Sequence, residues 1–100
     1  MKTNEMKQIL ADKLKAENCY FTKKDIVINK VNNSKYTIYI KDYEHIVFSF
    51  RLFFEDDEYI VYITNEDMRY NDKSIMIESK KEYDIESALI ELGYYIGTRF

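Results

Sequence analysis

Residues 46–64 read IVFSFRLFFEDDEYIVYIT. Two runs rich in β-branched and aromatic residues flank four consecutive acids, Glu55, Asp56, Asp57 and Glu58. Strand formers on both sides of a short polar break predict a β-hairpin. Closing it at Asp56-Asp57 sets Phe54 opposite Tyr59, Leu52 opposite Val61 and Phe50 opposite Ile63. Paired residues share a sheet face. The apolar side is then Ile46, Phe48, Phe50, Leu52, Phe54, Tyr59, Val61 and Ile63. The other side carries Val47, Ser49, Arg51, Phe53, Ile60, Tyr62 and Thr64, with Arg51 opposite Tyr62 and Phe53 opposite Ile60.

The same parity extends to the neighbouring segments. KYTIYIK at 35–41 alternates strictly and would bury Tyr36, Ile38 and Ile40, leaving Thr37 and Tyr39 outside. KSIMIES at 73–79 would bury Ile75 and Ile77, with Ser74, Met76 and Glu78 outside. A strand at 26–31 is ambiguous, with Ile26 and Ile28 competing against Val27 and Val31. Asn32-Asn33-Ser34 reads as the turn that follows it. Before the strands, Met6, Ile9, Leu10 and Leu14 fall on one face of a helix capped by Asn4 and running to about Glu17, with Lys13, Lys15 and Asn18 suited to its end. After them, Asp84 caps a second helix with Ile85, Ala88, Leu89, Leu92 and Ile96 on one face. Gly93 weakens that helix and Gly97 suits its C-cap.

These elements predict one α+β domain over residues 1–100. It is a two-layer sandwich in which a five-stranded antiparallel meander is flanked by an N-terminal and a C-terminal helix, in the order αβββββα, with both helices on one face. The competing architecture is a curled, barrel-like sheet around one helix.

Composition narrows the class. Forty-six per cent hydrophobic and 33% charged residues describe an ordinary globular chain. No stretch is apolar enough for a membrane span or a signal peptide, and Cys19 has no cysteine to pair with, which together point to the cytoplasm. Abundant Lys, Asn, Ile and Tyr suit an AT-rich genome, such as that of a low-GC bacterium or its phage. The net charge of −3 is unevenly spread. Residues 1–41 carry nine Lys and four acids, net +5; residues 42–100 carry six bases and fourteen acids, net −8.

A meander gathers the acids at two ends. Loops 41–45 and 65–72 share one end, with Asp42, Glu44, His45, Glu66, Asp67 and Asp72 against Arg69. Glu55–Glu58 and Asn32–Ser34 share the other. Spaced carboxylates on a rigid sheet can imitate nucleic-acid phosphates and engage a basic groove. The same acids can simply keep the protein soluble. A single His and no calcium-loop spacing give no ground for a metal or other cofactor. There is no glycine-rich phosphate loop, and Cys19 with His45 reads as structure rather than a nucleophile–base pair.

Glu78-Ser79-Lys80 resembles the E-x-K element of the PD-(D/E)xK nucleases. That resemblance implies a metal-activated water held by Glu78 and an acid such as Asp56 or Asp57, with Lys80 beside them. Lys23, Lys24, Lys30, Lys35 and Lys41 interleave with Tyr20, Phe21, Tyr36 and Tyr39, a pattern that can hold single strands. The acidity of the whole chain argues against direct nucleic-acid binding.

The leading expectation is a non-enzymatic protein-binding module. Its partner would be a basic, nucleic-acid-binding protein, and its mode that of a phage or mobile-element inhibitor, by analogy with anti-CRISPR proteins. The contact residues would be Asp42, Glu44, Glu55, Asp56, Asp57, Glu58, Glu66 and Asp67, with Tyr39, Arg51, Phe53 and Tyr62 on the sheet face. The alternatives are the metal-dependent nuclease and a structural protein that self-associates, as a homodimer, through that face.

Overall fold

A computed structural model describes residues 1–65, 75–82 and 84–98. Helix α1 (Thr3–Ala16) is followed by a short 3-10 turn, Lys23–Asp25. Five strands come next: β1 (Ile26–Asn32), β2 (Lys35–Asp42), β3 (His45–Glu55), β4 (Glu58–Asn65) and β5 (Ile75–Glu82). Helix α2 (Ile85–Gly97) closes the order. The strands pair antiparallel in the sequence β1-β2-β3-β4-β5, so β1 and β5 are edges and the sheet is an open meander rather than a closed barrel.

The register expected for the central hairpin holds at every pair: Phe50 to Ile63, Arg51 to Tyr62, Leu52 to Val61, Phe53 to Ile60 and Phe54 to Tyr59. It propagates to β2, where Ile38 lies opposite Phe50 and Tyr36 opposite Leu52. The ambiguity in β1 resolves toward Ile26 and Ile28, which are buried opposite Ile40 and Ile38, while Val31 is exposed at a register shift. Met6, Leu10 and Leu14 of α1 and Ala88, Leu89, Leu92, Tyr95 and Ile96 of α2 cover this one face. Phe50 sits at the centre, edge-on to Tyr95 at 6.2 Å. Phe21, first grouped with the basic stretch, is buried in the same cluster.

Local chemistry differs from expectation in four places, while Asn18 ends α1 as expected. The α1 N-cap is Lys2, not Asn4; the first helical bond, Met6 N–H to Lys2 C=O, forms two residues earlier, and no side chain caps it. The other end of α1 is a Schellman motif. Asn18 takes φ 60°, its N–H reaches the Lys15 carbonyl, and the Cys19 N–H reaches that of Leu14. Gly97 lies inside α2, whose C-cap is Thr98. A bulge at Ile40/Lys41 pairs Lys41 with Ile46 and frees Val47 to pack against the core, the reverse of strict alternation. In β5 the strand runs to Glu82, and a second bulge shifts parity so that Glu78 is registered against Ile63 and Lys80 against Val61, within the core-side row rather than the outer one. Asp84 caps α2 as expected, accepting the Ser87 N–H at 2.7 Å.

No helix among the described residues is long and apolar enough to cross a membrane.

Candidate functional site

The tip of the β3–β4 hairpin is a two-residue connection, Asp56-Asp57, between the paired Glu55 and Glu58. Both aspartates are left-handed, at φ 50° and 61°. This is the backbone of the tight turns that favour Asn-Gly, since a residue with a Cβ is strained there. Glu55, Asp56 and Asp57 are exposed. Among the described residues, the cation near Glu58 is Lys81, its Nζ at 3.9 Å across the outer face.

Phe54 belongs beside these acids. The parity rule assigns it to the core, yet it is 39% exposed. Strand β3 has eleven residues and spans roughly 35 Å. Helix α1 has fourteen and spans about 21 Å. The strand is longer than the helix that backs it, and among the described residues its last inward side chain packs on Tyr59, at 4.9 Å between ring centroids. Burial, then the neighbouring Tyr36 and Asp84, push the Tyr59 hydroxyl above its ordinary pKa. The exposed ring and the four carboxylates thus share the hairpin end, with Phe54 in the inward row and Glu55 and Glu58 in the outer one. The neighbouring β1–β2 turn braces it: Asn32 Oδ1 accepts the Ser34 N–H at 2.8 Å, and the Ser34 carbonyl accepts the Phe54 N–H at 2.9 Å.

Asp42 and Glu44 lie at the far end of β3, roughly 30 Å away. The two acidic groups cannot act as one patch. Glu66, Asp67, Arg69 and Asp72 lie outside the described residues. Around Asp42 the structure adds residues that the charge count missed. Tyr43 takes φ 57° and is 93% exposed, and Tyr20 is 61% exposed. The two tyrosines line an open hollow of about 350 Å³ with Lys24, Asp25 and Asp42. Lost hydration, then the hydrogen bond its hydroxyl donates to Asp42, raise the Tyr20 pKa. Asp25 is held by Thr22, whose N–H and hydroxyl reach its Oδ2 at 2.8 and 3.3 Å.

Tyr39, Arg51, Phe53 and Tyr62 do come together on the outer sheet face. Arg51 lies between Thr37 and Tyr62 in register, and Phe53 meets Tyr62 edge-on at 5.3 Å. Lys35 Nζ sits 5.3 Å from the centre of the Phe53 ring. Neither helix packs on this side, and Ser49, in register between Tyr39 and Thr64, is its one buried polar side chain among the described residues, at 3% exposure.

The nuclease constellation does not assemble. Glu78 is registered opposite Ile63, five residues up β4 from Glu58, which places it roughly 20 Å along the sheet from Asp57. Two carboxylates on one ion must each approach within about 2.5 Å of it. Among the described residues, no three His, Cys, Asp or Glu side chains converge as a metal site requires. Cys19 is half-buried, and its thiol is pushed up by burial and by Glu17, away from the thiolate a nucleophile needs.

Compared with known protein families, curated proteins and solved structures, the chain matches no family model, no curated protein and no solved structure.

Proposed function

We propose that this chain is a non-enzymatic protein-binding module whose contact surface is the hairpin tip, Phe54 with Glu55, Asp56, Asp57 and Glu58. The observation that carries the reading is the left-handed pair at the turn. Asn-Gly would fit that backbone with less strain, and replacing two of the four adjacent carboxylates would relieve their repulsion. A local rule broken at an exposed position is expected where function demands the side chains. An aromatic ring beside carboxylates also has the anatomy of an interface anchor with a charged rim.

The partner that fits is a protein with an apolar pocket ringed by Lys and Arg. A nucleic-acid-binding groove has that chemistry, because it must accept a base ring and its flanking phosphates. The tip would occupy such a groove stoichiometrically. The separation of Asp57 from Glu78 along the sheet argues against the nuclease alternative.

The test uses the immobilised full chain and its amide variant, Glu55→Gln with Asp56→Asn, Asp57→Asn and Glu58→Gln, which keeps the turn shape while removing the charge. Wild-type protein should retain a basic protein from a cell extract, double-stranded DNA should compete for it, and the amide variant should lose it. Equal retention by both forms would remove the tip from the interface.

A further inference from the structure

Among the described residues, the outer face of the sheet carries a charge opposite to that of the whole chain. Between the two hairpin ends, the described charged residues in its rows are Lys35 and Lys41 of β2 and Arg51 of β3, with Lys81 on β5. Acids enter these rows only at the tip, as Glu55 and Glu58, where Glu58 approaches Lys81. Arg51 is exposed and makes no ion pair with any described residue. Three half-exposed rings, Tyr39, Phe53 and Tyr62, share the face on three adjacent strands, and Lys35 is held against one of them.

We propose that this face binds single-stranded nucleic acid. Unpaired bases stack on exposed aromatic rings, and flanking cations take the phosphates; a sheet with one face backed by helices presents both on a rigid platform. The overall charge of −3 argues against such binding only if charge is evenly spread, and here it is segregated, with acids at the sheet ends and cations across its middle. The same segregation argues against a second copy as the occupant. A two-fold dimer centred on this face would bring two like-charged patches together, which repels. The inference is independent of the hairpin tip.

The experiment is fluorescence anisotropy of labelled fifteen-nucleotide dT and U strands, titrated with the full chain at about 50 mM salt. Binding should appear in the micromolar range and weaken as salt rises, with a log–log slope of about −2 for three phosphate contacts. Phe53→Ala and Tyr62→Ala should each weaken it about tenfold. Arg51→Glu should weaken it at least as much and flatten the salt slope. Glu55→Gln with Glu58→Gln should leave binding intact or improve it. Circular dichroism and urea midpoints establish that these variants fold. No anisotropy change up to about 100 μM, far above the micromolar range expected, overturns the proposal. So does binding untouched by Phe53→Ala and Tyr62→Ala, or matched by a DNA duplex in which the bases are hidden, since either outcome means simple polyanion attraction. Concentration-dependent dimerisation abolished by Arg51→Glu also overturns it, in favour of a second copy on this face.

Discussion

Gly93 of α2 lies against Lys13 of α1 with no room for a side chain. A Cβ at Gly93 would stand 2.5 Å from Lys13 Cγ and 2.9 Å from its Cβ. One turn on, a Cβ at Gly97 would stand 2.7 Å from the Cβ of Glu17. The two glycines are therefore a helix-packing seam. Opposite them, Lys13 and Glu17 pair at 2.8 Å, and Lys13 also lies 5.9 Å from the Tyr94 ring. Gly93→Ala gains about 1 kcal/mol of helix propensity. Forcing the helices apart costs about 1–3 kcal/mol. Because the clashing atoms sit next to the α1 backbone, the clash wins. The urea midpoint should fall with an unchanged slope; a rise would show that the helices do not approach this closely.

Phe50 and Phe54 occupy the same inward row of β3, four residues apart, and should respond differently. Phe50 is fully buried between Phe48 and Tyr95. Phe50→Ala should cost about 3–5 kcal/mol, enough to unfold a domain of this size or nearly so. Phe54→Ala removes a half-exposed ring stacked on Tyr59 and should cost about 1 kcal/mol or less. Paired urea titrations decide it. A large loss at Phe54 would mean that the tip is more deeply covered than the exposure of Phe54 allows.

The contrast shows what the sequence could convey. Alternation and the acidic break located the hairpin and its register, because a one-residue slip would turn Phe48, Phe50 and Leu52 toward water. That one constraint propagated correctly to Tyr36, Ile38 and Ile40. Alternation could not locate the bulges that turn Val47 inward and move Glu78 into another row, since a bulge is a local accident of pairing. Nor could it give the exposure of Phe54, which depends on comparing strand length with helix length. Gly93 and Gly97 did carry a signal, their i, i+4 spacing. Sequence alone gives helix weakening for Gly93 and a C-cap for Gly97, because their partners on α1 are eighty residues away in the chain. For the candidate site, the acids of the tip were visible as composition. The sorting of Lys35, Lys41 and Arg51 onto one sheet face was not, because net charge averages over faces that only the register separates.

Asp84 makes the start of α2 sensitive to acid. Its carboxylate accepts the Ser87 N–H, and that bond, with contributions from the Ser87 hydroxyl and the Glu86 N–H, holds its pKa below the ordinary aspartate value. A depressed folded-state pKa adds stability above the unfolded pKa and loses it as pH falls through the folded one. The contribution is thus complete above about pH 4–5 and fades below it. Asp84→Asn retains an acceptor without the charge. It should unfold at a lower temperature than wild type at pH 7, with the gap closing toward pH 3. A gap that stays constant across that range would mean that the Asp84 charge is not what caps the helix.

The turn at Asp56-Asp57 allows stability and binding to be separated in one molecule. Replacing the pair by Asn-Gly supplies residues that adopt the observed φ values of 50° and 61° with less strain, and it removes two of four clustered carboxylates. Both changes favour the folded state, and the hairpin should gain about 1 kcal/mol, read as a higher urea midpoint. If the acids serve only solubility, the variant should be more stable and otherwise indistinguishable. If the tip is the contact surface, the more stable protein should retain its partner several-fold less well. A gain in stability with a loss of retention identifies these two aspartates as selected against the fold. A loss of stability would instead show that the left-handed pair is held by contacts that Asn-Gly cannot make.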